Sequence, residues 1–522
     1  MSSRTRSAVL GVAAVLVLSR LLGFVREMVI ADKFGTSAQY DLYLVAVILP
    51  ALAYGVINFA SYYLFVPYIS RLTANHENDD QATWRALWPG LNLTLLVGVG
   101  ITTAIIIAAP LAMRIWAGDY PAEQFGMIIF YSRLTAAIVL LGTGEAFMRA
   151  YLNVKKQYAY PAGGFIVFNL VSIGSIVLLH DQLSVGAIVV GLVFGLALQN
   201  VYLLVRILGY SPFAGFTSRL MPEDRAAFFG AAGTVLAVEI INRSYFMIDR
   251  YFAPQFGEGV IAALNYSQVL VQLPESIIGF AIGAVVFPML SKSASTEDRE
   301  AFANTYRKAV VSSLIIAVPL TLTVALYSDT VVWAVFERGV FDQESTLLTS
   351  DVLSRFCYSI VFLFVIGISA RACYAAGRGY EVLWIVAVGL LFKFGGTYFA
   401  ENGAEIAAAT AMTHFLIAGG MVTAVARKIG ANLGRRLMAD VLRIGAAGLV
   451  ALLTTFVVMP FYDPMHGKGP WANSELGLKV AAGHFSLILI AIFVVLAIIG
   501  PRDILFGMIG WKRKAKPENG DA

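Results

Sequence analysis

Apolar residues in this chain fall in long blocks separated by short polar breaks. A membrane-spanning helix needs about 20 mostly apolar residues. Blocks of that size lie at 8–30, 42–68, 89–112, 126–150, 160–179, 183–208, 226–250, 260–288, 307–327, 351–375, 381–400, 404–426, 440–461 and 479–500. That is about fourteen predicted spans. A β-barrel would instead show segments of about ten residues with alternating hydrophobicity. The pattern predicts an all-α polytopic membrane protein. The polar breaks at 69–88 and 291–306 are loop-sized, and 512–522 reads as a disordered tail.

The blocks repeat. MRAYLNVKKQY (148–158) aligns with ARACYAAGRGY (370–380), Phe34-Gly35 with Phe256-Gly257, Leu49-Pro50 with Leu273-Pro274, and VPYISRL (66–72) with FPMLSKS (287–293). The offset is about 222 residues, or about six spans. An even number of spans gives both copies the same orientation, so they are expected as two six-helix lobes related by a pseudo-twofold axis along the membrane normal. The expected divisions are 1–222 and 223–430 for the lobes, 431–511 for two additional helices, and 512–522 for a cytoplasmic tail.

Composition agrees with this reading. The chain has 522 residues, 58% hydrophobic and 14% charged, with mean hydropathy +0.75. A soluble domain is about 45–50% apolar and about 25% charged. The net charge of +5 matters less than its placement. With the N-terminus inside, roughly 26 Lys and Arg fall in cytoplasmic junctions and about 6 outside. Those junctions take in Arg149, Arg219, Arg225 and Arg371, while Asp329, Glu337, Asp342, Glu344 and Asp351 fall outside. Both termini are therefore expected in the cytoplasm. MSSRTRS and the apolar run behind it continue into SRLLGFVRE with no small-residue cleavage site, which predicts a retained first helix. Cys357 and Cys373 lack metal-site spacing and read as packing residues.

Charged side chains inside spans are costly and usually face a cavity or a partner. The first span carries Arg20, Arg26 and Glu27, with Gly23 between the arginines. Two arginines in one span suit a diphosphate, because each offers a permanently charged bidentate fork. Glu239 and Arg243 have i, i+4 spacing and are expected to neutralise each other. Asp249 reads either as a cation ligand or as the ion-pair partner of Arg250. Lys393 and Lys479 are expected to snorkel, and His414 and His484 to be packing histidines. Pro50 and Pro274 interrupt equivalent spans and, with Gly23, are the expected hinges. Gly191/Gly195 and Gly279/Gly283 predict close helix packing. There is no P-loop, HExxH, nucleophile elbow or dinucleotide fingerprint, so the expectation is a protein that is not an enzyme and uses no cofactor.

The segment SRLLGFVREMVIADKFGTSAQYDLYLVAVILP (19–50) resembles the MurJ (MviN) family of lipid II flippases, within the multidrug/oligosaccharidyl-lipid/polysaccharide exporter superfamily. VPYISRL (66–72), LNYSQVLVQLPESIIGFAIGAVVFPMLSKS (264–293), VFERGVFDQESTLLTSDVL (335–353) and ARACYAAGRGY (370–380) carry the same resemblance. It implies two six-helix lobes around a cationic cavity, two extra helices forming a lipid-accessible groove, and outward flipping of an undecaprenyl-diphosphate-linked saccharide. By position it implies substrate-binding roles for Arg20, Arg26, Glu27 and Asp41, and a monovalent coupling cation at Asp249. The chain departs from the family pattern where Tyr54 and Val269 replace arginines and Phe59 replaces an acid.

The resulting expectation is a flippase moving lipid II or a related cell-surface glycan precursor across the bacterial inner membrane by alternating access, in peptidoglycan biosynthesis, cell wall biogenesis or polysaccharide export. Its expected partners are the polyprenyl-diphosphate-linked glycan, the lipid bilayer and glycan-synthesis enzymes, with no nucleic acid. Two other readings stay open: a drug/cation antiporter on a related fold, and a non-transporting scaffold of a glycan-synthesis complex.

Overall fold

The structure, a computed structural model, describes residues 3–60, 64–76, 79–118, 120–208, 232–296, 298–429, 431–462 and 475–499. Arg219, Arg225 and the expected tail lie outside the described residues, as does the side chain of His484. The chain runs through α1 (Ser3–Phe34), α2 (Ala38–Ala46), α3 (Ile48–Ala60), α4 (Val66–Asn75), α5 (Asp80–Ala112), α6 (Arg114–Ala117), α7 (Ala122–Thr135), α8 (Ala137–Val154), α9 (Ala159–Leu183) and α10 (Gly186–Leu208). It continues through α11 (Ala232–Phe252), α12 (Val260–Pro274), α13 (Phe280–Ser295), α14 (Arg299–Leu326), α15 (Ser328–Phe336), α16 (Gln343–Phe356), α17 (Ser359–Ala375), α18 (Gly379–Tyr398), α19 (Gly403–Ile429), α20 (Ala431–Tyr462) and α21 (Glu475–Ile499). Among the described residues the only β-feature is an isolated bridge between Arg338 and Phe341.

Where the residues are described, every predicted span falls on one of these helices or on consecutive ones. Among the described residues, eight helical segments are long and apolar enough to cross a membrane by themselves, and up to ten if the bent pairs α2–α3 and α16–α17 each count as one. The helices α1 and α11 also carry charged side chains among their apolar residues. The predicted span at 260–288 is interrupted by a π-turn at Glu275–Gly279. The chain is a multi-pass, all-helical membrane protein.

Both predicted hinge prolines sit at interruptions. The α2–α3 pair bends by 51°, and Pro50 lies in the first turn of α3, where a missing N–H costs nothing. Pro274 ends α12, directly before the π-turn. Gly23 differs: α1 runs unbroken through it, and a Cβ there would lie 3.8 Å from Asn169 Oδ1, so it is a packing position in this structure rather than a bend.

The described residues form two compact units, Met1–Val269 with Val335–Val352 and Val386–Ala409, and Leu270–Ala334 with Leu353–Ile385 and Thr410–Ala522. In the first, α9 packs along α1 and α10, and α8 packs against α3, α5 and α10. Gly191 and Gly195 make the α9–α10 approach possible, since a Cβ at Gly195 would lie 2.9 Å from the Phe168 carbonyl. In the second, α14 packs against α13, α17 and α20. The Tyr306 hydroxyl lies 2.8 Å from Ser369 Oγ, and Arg307 forms an ion pair with the buried Asp440. His414 Nδ1 lies 3.0 Å from Ser359 Oγ, as a packing histidine should. Cys357 and Cys373 are free and buried.

Candidate functional site

Within the first unit, α1, α2, α9, α10, α11 and α12 enclose a cavity of about 200 Å³. Its charged lining is Arg26, Glu27 and Arg250. Tyr40, Tyr43, Ser172 and Asn265 add polar groups, and Ile30, Leu44, Val47, Ile176, Ile188, Leu192 and Val269 form an apolar wall. Two positive charges and one negative leave a formal charge of +1 on the lining. The volume is below the roughly 300–1,000 Å³ of a drug-sized pocket. It suits a small anionic group with an apolar flank, not a whole oligosaccharide.

Arg26 is held from three sides. Its Nη2 donates to Glu27 Oε1 at 2.7 Å, its Nη1 to Asn169 Oδ1 at 3.4 Å, and its guanidinium lies 5.4 Å from the Phe168 ring centre. Asn169 in turn donates to the Phe165 carbonyl on its own helix, which fixes the amide that receives Arg26. Arg250 reaches α2, where Nη1 donates to the Leu44 carbonyl at 2.6 Å. Arg20 is exposed on α1 and does not line this cavity. A step of six residues places it about 120° around the helix from Arg26. The first-helix pair therefore splits: Arg26 and Glu27 enter the cavity and Arg20 does not.

Arg250 lines the cavity, a role that its place beside Asp249 in the sequence conceals. Adjacent residues on a helix do not face each other. The helical stripe Glu239, Arg243, Arg250 is the signal that separates the two. Along it Arg243 Nε bonds Glu239 Oε1 at 2.7 Å, as the i, i+4 spacing predicts. Asp249 points elsewhere and pairs with Lys393 of α18. The snorkelling expected of Lys393 is corrected here: the side chain is fully buried, because a carboxylate is waiting for it inside.

Asp41 also lies outside the cavity lining. Its Oδ2 accepts from Gly259 N at 2.7 Å and its Oδ1 from Ala262 N at 2.8 Å, so it caps the start of α12. The relation is reciprocal, because Glu258 Oε1 accepts from Ala38 N at the start of α2 at 2.8 Å. Two left-handed glycines allow the corners to meet. Gly35 has φ +52° and Gly259 has φ +81°, and a Cβ on Gly259 would lie 2.3 Å from the Thr36 carbonyl.

The departures Tyr54 and Val269 have structural partners. Val269 is part of the cavity's apolar wall. Tyr54 packs its ring on Gly142 of α8. Arginines from other helices nevertheless reach α3. A Cβ on Gly55 would lie 2.7 Å from Arg243 Cζ, so that guanidinium lies on the α3 backbone. Arg149 Nη2 donates to Asn58 Oδ1 at 2.5 Å and its Nε pairs with Glu145 Oε1 at 3.0 Å. Arg149, placed by sequence in a cytoplasmic junction, is only 7% exposed. Its repeat partner Arg371 is half-buried and donates to the Gly367 carbonyl at 2.9 Å.

Comparison with known proteins agrees with this fold. Residues 30–466 match the family described as lipid II flippase MurJ. The lipid II flippase MurJ of Burkholderia cenocepacia is 23% identical over 386 residues, covering 70% of this chain and 73% of that one. The probable lipid II flippase MurJ of Rickettsia prowazekii is 26% identical over 372 residues, covering 69% and 71%. A solved lipid II flippase MurJ in an inward closed conformation superposes with a TM-score of 0.76 at 16% identity, covering 95% of this chain and all of that one. An inward-facing MATE multidrug transporter superposes less closely, with a TM-score of 0.64 at 12% identity over 81% of this chain and 99% of that one. With the family match running through most of the spans, the chain belongs to the lipid II flippase MurJ family.

Proposed function

We propose that this chain flips a polyprenyl-diphosphate-linked saccharide, lipid II or a related cell-surface glycan precursor, across the bacterial inner membrane by alternating access. The observation that carries this reading is the cavity in which Arg26 and Arg250 meet an apolar wall. Guanidinium forks match phosphate oxygens in pairs, and a buried, partly apolar setting strengthens each contact. The apolar wall would take the first carbons of the polyprenyl chain. Glu27 would hold Arg26 in place and lower the resting positive charge, so that the anion can also leave. Arg20, exposed on the same helix, would contact the lipid-linked anion on its way to or from the cavity. The repeat supports two lobes, and the excess of Lys and Arg in alternate junctions supports both termini in the cytoplasm.

Binding of a polyprenyl diphosphate to the purified chain tests the assignment. A charge-assisted hydrogen bond is worth about 1.5–3 kcal/mol. Arg26→Ala and Arg250→Ala should therefore each weaken binding roughly 10- to 150-fold. In cells depleted of their lipid II flippase, the wild-type chain should restore growth and both variants should fail. Unchanged binding in both variants refutes the diphosphate site. Tight binding without rescue moves the substrate from lipid II to another lipid-linked glycan. The MATE likeness favours drug antiport as a second reading, but a cavity with net positive charge repels a cationic drug.

A further inference from the structure

Asp249 is where the family resemblance places a monovalent coupling cation, and the residues around it do not fit one. Lys393 lies within α18 with its side chain 0% exposed, and its Nζ is paired with the Asp249 carboxylate of α11. The same ammonium donates to the Ile406 carbonyl at 3.2 Å. A lysine ammonium has three donors and no acceptor, so it repels a cation where a ligand would have to draw it in. The carboxylate's charge is already matched at contact distance.

The pair is also seated firmly. Tyr245 Oη donates to the Val386 carbonyl at 2.8 Å, one to two turns away on the same two helices. Phe252 packs edge-on against Phe394 and Tyr398, with ring centres 5.6 and 6.3 Å apart. A lysine held in such surroundings is a fixed charge and not a swinging surface group.

We propose that Lys393 is the chain's own resident cation: its ammonium takes the place of an exchangeable ion at Asp249, and the α11–α18 junction binds no Na⁺, K⁺ or Li⁺. A tethered ion cannot be lost or exchanged, so this junction does not couple movement of the chain to a sodium gradient. The inference stands apart from the identity of the glycan, because ion binding is read directly.

The test uses the purified full-length chain. Its thermal unfolding is followed in NaCl, LiCl, KCl and choline chloride at equal ionic strength, with Na⁺ binding measured by equilibrium dialysis. The wild type should unfold at the same temperature in all four salts and show no saturable Na⁺ binding. Lys393→Ala opens the carboxylate and should gain a saturable stabilisation by Na⁺ over choline, which Asp249→Asn/Lys393→Ala should lack. A Na⁺-specific stabilisation of the wild type that Asp249→Asn removes would overturn the proposal. So would a folded Lys393→Ala protein indifferent to every ion, since Asp249 would then be no cation site at all. If Lys393→Ala does not fold, Lys393→Gln takes its place, with the same gain of Na⁺ stabilisation expected and the same indifference to ions overturning the proposal.

Discussion

Asp41→Ala should be among the most damaging single substitutions outside the cavity. Asp41 is 6% exposed, and its two oxygens receive Gly259 N at 2.7 Å and Ala262 N at 2.8 Å. Alanine leaves both N–H groups buried without an acceptor. An unsatisfied buried donor costs about 1–3 kcal/mol, and loss of an N-cap typically costs about 1 kcal/mol and at most about 2. The two amides share one cap, so a total of about 2–4 kcal/mol is expected. Asparagine keeps one acceptor oxygen but turns an NH₂ toward the second amide, so Asp41→Asn should lose about half as much. Unfolding of a membrane protein in detergent is read as a rate. The half-life of the purified variant at fixed temperature should shorten by at least tenfold for alanine, with a smaller loss for asparagine. Hydrogen exchange should accelerate first at Gly259 and Ala262. If both amides stay protected in Asp41→Ala while polyprenyl diphosphate binding falls, Asp41 is a substrate ligand and the capping assignment fails.

Other consequences are as definite. Arg149→Ala strands Glu145, which is 0% exposed, and should cost about 3–5 kcal/mol, whereas Glu145→Gln/Arg149→Met should cost far less; thermal unfolding of both variants checks the contrast. Gly259→Ala forces a Cβ to 2.3 Å from the Thr36 carbonyl at φ +81° and should cost about 1–3 kcal/mol in the same assay, with an unperturbed variant counting against the close corner. At the start of α16, the Ser345 N–H donates to Asp342 at 2.9 Å and holds that carboxyl below its ordinary value. A depressed folded-state pKa gives a contribution that is full above the unfolded value of about 3.9 and is lost as pH falls through the folded one. The protection factor of the Ser345 amide should therefore fall only below about pH 4, and a loss at pH 6 would refute the cap.

Local relations were legible in the sequence and distant ones were not. The apolar blocks coincide with helices wherever residues are described, because a bilayer core demands a minimum apolar length of each spanning helix. Glu239 with Arg243 was readable from i, i+4 spacing, and it forms. Asp249 with Lys393, and Asp41 with Gly259, join residues that no helical period connects. The error at Lys393 came from treating each buried charge alone, when two such charges on different spans can satisfy each other. Arg250 was recoverable, since facing directions on one helix already separate it from Asp249. Arg149 shows the opposite failure: a basic residue near a span's end counts as topological until a partner such as Glu145 is recognised one turn back.

The exchange of caps between the 35–41 and 257–262 segments fixes an order of events during synthesis. Asp41 is made about 220 residues before the amides it serves, so its cap partners exist only once Gly259 and Ala262 have been synthesised. The start of α12, by contrast, arrives to find its acceptor already in place. A chain interrupted before Glu258 therefore lacks both halves of this exchange, since Asp41 has no amides to accept from and Ala38 no carboxylate to donate to.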